Sequence, residues 1–221
     1  MQIPRFPEID HPLIQALAQR SDQELLTLFK RYPERGAYFA ALFCRYTPLV
    51  YTLIGHSARS PVQADYLFAL TWRHIYFELG GLDLERLAPE QRSQATLQNW
   101  LINITADSIN RANIPGVESI HYSLRSAPPV LWCYVQQCLD DLPPLSRLVL
   151  VLTQTFRWST PRISAYLQAE GEKLSTREIR AQLEDAYEYL ETYLPQDIRE
   201  IYLAAPEVMG AADQPPALAA V

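Results

Sequence analysis

Glycine is scarce in this chain of 221 residues, which contains 7 glycines but 17 prolines. No segment alternates apolar and polar residues between turn dipeptides such as Asn-Gly, so the signals of β-hairpins are missing. The chain instead carries runs rich in Leu, Ala, Gln and Glu that are separated by prolines. This pattern predicts an all-α fold.

Cysteine is also sparse, since the 3 cysteines (Cys44, Cys133 and Cys138) have no metal-ligand spacing. An odd number of thiols without such spacing is typical of a reducing compartment. The beginning of the chain lacks the apolar core of a signal peptide, and no apolar run approaches the roughly 20 residues that cross a bilayer. We therefore expect a soluble, cytoplasmic protein with no membrane partner.

Motifs of catalysis and cofactor binding are missing as well. The chain has no glycine-rich phosphate loop, no nucleophile elbow and no carboxylate pair in an apolar setting. His74 and Glu78 lie one helical turn apart, but two ligands without a third make a poor metal site. We expect no enzymatic activity, no metal and no other cofactor.

A strongly basic charge balance, which marks many nucleic-acid-binding proteins, is absent too. Residues 1–112 contain 11 basic and 11 acidic residues, whereas residues 113–221 contain 8 and 14 and so carry the whole net charge of −6. Any contact with nucleic acid must therefore come from a local basic patch.

Helix starts are marked clearly along the chain. Ser21 with Glu24, and Ser175 with Glu178, have the spacing of capping boxes. Ser60 followed by Pro61 predicts another helix start, and the glycine pair after Leu79 predicts its end.

The helices fall into two groups. Residues 10–112 form a predicted helical domain. Residues 113–129 are predicted to be a linker, because prolines and a glycine interrupt the helical periodicity of the apolar residues. Residues 130–204 form a predicted second domain of four short helices, with a break at the double proline after Leu142. Residues 205–221 are expected to be a disordered tail.

The order of these segments resembles the sigma-70 family of bacterial transcription initiation factors, in the two-domain form of the extracytoplasmic-function type. The resemblance runs from about residue 22 to residue 195. It is carried by FAALFCRYTPLVYTLI, QADYLFALTWRHIYFEL and LQNWLINITADSINR in the first domain, and by CLDDLPPLSRLVLVLTQTFRWSTPRISAYL and LSTREIRAQLEDAYEYLETYLP in the second. It implies a region-two-like domain and a region-four-like domain with a helix-turn-helix.

The resemblance also implies partners and sites. Residues 60–79 correspond to the helix that docks on the RNA polymerase core, with Asp65, Tyr66, Leu67, Phe68 and Tyr76 as the contact residues. Promoter DNA would meet Trp100, Asn103 and Arg111 in the first domain, and Ser175, Thr176, Arg177 and Arg180 at the start of the recognition helix. An anti-sigma or other regulatory protein is a further expected partner. The implied function is promoter-specific, DNA-templated transcription initiation.

Departures from the family pattern leave an alternative open. Tyr66, Ala69 and Leu70 stand where the family has polar residues. The recognition helix is acidic, with Glu184, Asp185, Glu188 and Glu191. The alternative is a degenerate sigma-like regulator or adaptor that acts through protein contacts without recognising promoters.

Two aromatic features also have two readings. One predicted helix carries five aromatic residues, namely Tyr66, Phe68, Trp72, Tyr76 and Phe77. They cannot all face a single core. Trp72 with Phe68 or Tyr76 is therefore expected inside, and the remaining aromatic residues are expected to form an exposed patch. Trp100 is either a core residue or a stacking platform for a base.

Overall fold

The computed structural model describes residues 3–83 and 96–203, and in these ranges every regular element is helical. The α-helices are α1 (Pro12–Gln15), α2 (Asp22–Arg31), α3 (Ala37–Ser57), α4 (Pro61–Leu79), α5 (Leu97–Arg111), α6 (Pro129–Asp141), α7 (Pro144–Gln154), α8 (Thr160–Ala169), α9 (Thr176–Tyr193) and α10 (Gln196–Tyr202). Short 3₁₀ helices cover Pro7–Asp10 and Val117–Ser119. The predicted all-α class is confirmed, and the predicted tail lies outside the described residues.

The helix starts agree with the local sequence signals. Both capping boxes form, with Ser21 and Ser175 accepting from the backbone of the glutamates three residues later. Ser60 caps α4 and Pro61 occupies its first position, where a missing backbone N–H costs nothing. These elements are set by residues within one turn of each other, which is why the sequence alone places them.

The first compact unit combines Met1–Cys133 with Gln196–Ala204. Its core is the face that α3 shares with α2, α4 and α5. Phe39, Phe43, Phe68 and Trp72 are fully buried there, and the rings of Phe43 and Trp72 meet edge to face at 4.9 Å between centroids. Edge-to-face pairs add to the stability that burial alone provides.

Helix α3 runs unbroken through Pro48. Its length and composition would allow it to cross a membrane, a property that the apolar runs of the sequence did not predict. About two thirds of its apolar window (67%) is buried inside the protein, which is the pattern of a core helix.

The second compact unit contains residues from Tyr134 to Pro195. Helices α7, α8 and α9 pack against one another around Val149, Ile163 and Ile179, none of which is exposed. Gly171, after α8, has φ +97°, a backbone conformation that side-chain-bearing residues rarely adopt. The predicted break between α6 and α7 occurs at Pro143 and Pro144.

Helix α10 departs from the predicted domain boundary. Residues 130–204 were expected to form one domain, yet α10 belongs to the first unit with the N-terminal elements. The reason is a polar anchor: Asp197 accepts hydrogen bonds from the backbone N–H groups of Gly36 (3.0 Å) and Ala37 (2.8 Å). Gly36 is the N-cap of α3 and has no side chain of its own to cap that helix. Asp197 therefore supplies the missing cap from 160 residues away.

Removal of this cap is expected to destabilise the first unit. Asp197→Ala should lower the free energy of unfolding by about 1–2 kcal/mol, because two orphan N–H groups lose a charged acceptor. Urea unfolding followed by circular dichroism measures the change. Glu200→Ala, at an exposed position of the same helix, is the matched control and should cost less than about 0.5 kcal/mol. An equal effect of the two variants would contradict the capping role.

Candidate functional site

The start of α9 is fixed by its capping box. Ser175 N–H donates to Glu178 Oε2 at 2.8 Å, and Glu178 N–H donates to Ser175 Oγ at 3.3 Å. Hydrogen bonds from the Ser175 hydroxyl and backbone hold the pKa of Glu178 below its usual range. The carboxylate is therefore engaged at the helix start, and the first turn has a defined conformation.

The predicted contact residues of this helix are all on the surface. Ser175, Thr176, Arg177 and Arg180 are exposed. Within residues 3–83 and 96–203, no acidic side chain lies within ion-pair distance of either arginine. Both guanidinium groups can thus bind a phosphate or the edge of a guanine without first breaking an ion pair.

Neighbouring helices hold α9 in place from its inner side. Ser146 Oγ of α7 donates to Gln182 Oε1 at 2.6 Å, and Ser164 Oγ of α8 donates to the Leu174 carbonyl at 2.6 Å. Ile179, Leu183, Ala186 and Leu190 are buried and follow one another at helical spacing along that inner side. The outer side of α9 is left to the solvent.

Acidic residues follow the arginines on that outer side. Glu184 and Glu188 are exposed and stand 7 and 11 residues after Arg177. At about 100° per residue, the three positions lie within about 40° of one another around the helix. At about 1.5 Å per residue, Glu184 and Glu188 lie about 10 and 17 Å from Arg177 along the helix axis. A surface that meets Arg177 along the helix axis therefore also meets two carboxylates.

Helix α5 contributes a weaker set of predicted contacts. Trp100 is half-buried, so its ring is neither a core residue nor an open platform. Asn103 is exposed, and Arg111, with 79% of its side chain exposed, pairs with Asp107 at 2.8 Å. A surface pair of this kind costs little to break, so Arg111 remains accessible to an anionic partner.

The residues predicted to bind polymerase on α4 are mostly interior. Leu67, Phe68 and Tyr76 are 2%, 0% and 8% exposed, because they face α3 and the core. Asp65 Oδ1 accepts a hydrogen bond from the Tyr51 hydroxyl at 2.8 Å, and Tyr66 is half-buried. A docking partner cannot contact the three buried side chains in this conformation. The expected exposed aromatic patch is reduced to Phe77, which is 53% exposed.

A different row of α4 residues faces outward. Gln63, Tyr66, Leu70, Arg73 and Phe77 follow one another at spacings of three and four and are at least partly exposed. We name this row the α4 outer row. Four of its five members were absent from the predicted set, although their spacing alone marks them as one helix face.

Metal binding finds no support in residues 3–83 and 96–203, where no three or more His, Cys, Asp and Glu side chains are grouped to hold an ion. His74 Nε2 and Glu78 Oε1 form a surface pair at 3.8 Å.

Comparison of the chain with protein-family models, with curated proteins and with solved structures gives no match.

Proposed function

We propose that the chain is a sigma-factor-like protein that binds the RNA polymerase core and directs promoter-specific transcription initiation. The observation that carries this proposal is the start of α9, where α7 and α8 pack against a capped helix start that presents two exposed arginines. Helix starts that present arginine are suited to base edges in the major groove. The two-unit division and the all-helical order agree with the family resemblance.

Polymerase docking is assigned to the α4 outer row in place of the buried residues. Phe77 is the most exposed member of this row. We expect it to be a main contact, because aromatic side chains that become buried on binding dominate many protein interfaces. Phe77→Ala should weaken binding to polymerase core by about tenfold in a pull-down or a fluorescence titration. Leu13→Ala, at an exposed position of α1 in the same unit, should leave the affinity unchanged. Failure of the unaltered chain to bind core would refute the proposal.

A second candidate function, that of a regulator, is favoured by the two exposed carboxylates of Glu184 and Glu188, which lie on the same side of α9 as Arg177. A regulator that acts through protein contacts would use the acidic outer side of α9 against a basic partner surface. In that case promoter recognition is not required, and the chain should bind core without adding sequence-specific DNA affinity.

Neutralising the acidic residues separates the two functions. If α9 approaches DNA, Glu184→Gln with Glu188→Gln should raise holoenzyme affinity for promoter DNA by about fivefold at low salt. Each carboxylate then no longer repels a phosphate at about 6–10 Å, a distance at which unit charges in water interact by roughly 0.5 kcal/mol. The gain should shrink as salt is added. An unchanged DNA affinity together with weaker protein binding would favour the regulator.

A further inference from the structure

The α4 outer row has the geometry of a seam for another helix. Its five positions lie within about 80° of one another around the helix and extend over about 21 Å. Residues spaced by three and four lie on one face of a helix, and two helices pack against each other through such faces. The row is opposite the buried side of α4, where Trp72 and Ile75 are fully buried.

The chain's own linker and the first turn of α6 lie on this seam. Gln63 Nε2 donates to the Pro115 carbonyl at 3.0 Å, and the ring of Tyr66 meets the ring of Tyr122 edge to face at 6.1 Å. Farther along, the Arg73 guanidinium lies 5.3 Å from the centre of the Trp132 ring. Three members of the row, spread over about 15 Å of helix, are therefore already in contact with residues 115–132.

The segment that contacts the α4 outer row also makes packing contacts within itself. The Tyr122 ring packs against Trp132 at 5.4 Å, and its hydroxyl donates to the Ala127 carbonyl. Leu124 and Ala127 are buried at 7% and 4% exposure. Cys133, also buried, makes a weak contact through Sγ with the Trp72 carbonyl of α4 at 4.0 Å. The segment is thus packed onto α4 rather than only passing over it.

We propose that residues 113–133 form a cover that occupies the α4 outer row in the free chain and is displaced when a helix of the polymerase core docks there. The inference rests on the proposed function, because it names how that docking surface is regulated. One helix face cannot pack against the Tyr122 and Trp132 rings and against a partner helix at once. Binding to core is therefore weakened by the contacts that must first open. Phe77, beyond the end of the cover, offers the first contact.

Loosening the cover tests the idea. Tyr122→Ala removes the ring that joins Tyr66 to Trp132, so it should tighten core binding by about three- to tenfold, the range expected from losing aromatic pairs. Tyr32→Ala is the matched control, since Tyr32 is a half-buried tyrosine of the same unit whose ring contacts Tyr38 of α3. Thermal melting monitored by circular dichroism reports whether each variant is folded.

Amide hydrogen exchange on the unaltered chain gives a readout that needs no variant. The amides of residues 117–127 should exchange faster after core is added, whereas those of α2 should not change. If core binds but this exchange stays the same and Tyr122→Ala has the affinity of the Tyr32→Ala control, the cover is refuted and the docking function stands. If neither the unaltered chain nor Tyr122→Ala binds core, the proposed function fails and the cover fails with it.

Discussion

Replacing Arg177 and Arg180 together by alanine is expected to weaken promoter binding by the holoenzyme by roughly 30-fold or more. Both side chains are exposed at the start of α9, where a recognition helix meets base edges. Each arginine that pairs bidentately with guanine contributes about 1–3 kcal/mol of discrimination, so the two together account for about 2–6 kcal/mol. A mobility-shift or anisotropy titration with promoter and scrambled duplexes measures the loss.

The control for this double variant removes the same charge elsewhere. Arg59→Ala with Arg125→Ala changes two exposed arginines of the first unit and should lower the affinity for both duplexes only slightly. If holoenzyme binds the promoter specifically and Arg177→Ala with Arg180→Ala has no larger effect than this control, the assignment of α9 to DNA is incorrect.

Glu8 is expected to make the first unit lose stability as pH rises. Its side chain is fully buried, and Oε1 accepts a hydrogen bond from the Tyr202 hydroxyl of α10. Oε2 has no hydrogen-bond partner among the described residues. Burial raises the pKa of Glu8 from its ordinary 4.5 to about 7, although the Tyr202 hydrogen bond opposes the shift. The folded chain therefore holds this proton at pH values where the unfolded chain has released it.

The direction of the pH effect follows from that difference. Between pH 4.5 and about 7 the folded state binds more protons, so the free energy of unfolding falls as pH increases. The shift corresponds to about 3 kcal/mol that is present at or below the ordinary pKa and lost above about pH 7. Burial also raises the pKa of the nearby Cys44 thiol to about 12 and that of the Tyr202 hydroxyl well above 10. These two groups stay neutral in this range.

Glu8→Gln is the variant that isolates this carboxyl. It keeps an oxygen acceptor for Tyr202 but cannot ionise, so it should match the unaltered chain near pH 4.5 and be more stable by about 3 kcal/mol at pH 8. Glu34→Gln, at an exposed position, is the control and should give parallel curves. Urea unfolding at four pH values would decide the question. A constant difference between Glu8→Gln and the unaltered chain would contradict the buried carboxyl.

Local features of the fold could be predicted from sequence because their causes are local. The capping boxes at Ser21 and Ser175 depend on residues three positions apart, and the buried stripe of α9 follows the helical period. The exposed arginines at the start of α9 follow from the same period. Features of this kind require no knowledge of what the helices pack against.

Features set by distant contacts could not be predicted in the same way. The return of α10 to the first unit depends on Asp197 meeting the start of α3, about 160 residues earlier. On α4, aromatic residues occur on several sides of the helix, so hydrophobicity alone does not say which side is buried. Phe68 and Tyr76 face α3 while Phe77 faces outward, and only the packing of the neighbouring helices separates them.

The most direct measurement of the central claim is transcription in vitro by polymerase core with and without the chain. Purified core is supplied with fragmented genomic DNA from the source organism, and the 5′ ends of the transcripts are mapped. The proposed function predicts that the chain creates defined start sites preceded by a shared sequence, and that Arg177→Ala with Arg180→Ala removes them. Identical transcript ends with and without the chain, despite measurable binding to core, would contradict promoter-directed initiation and leave the regulator as the remaining function.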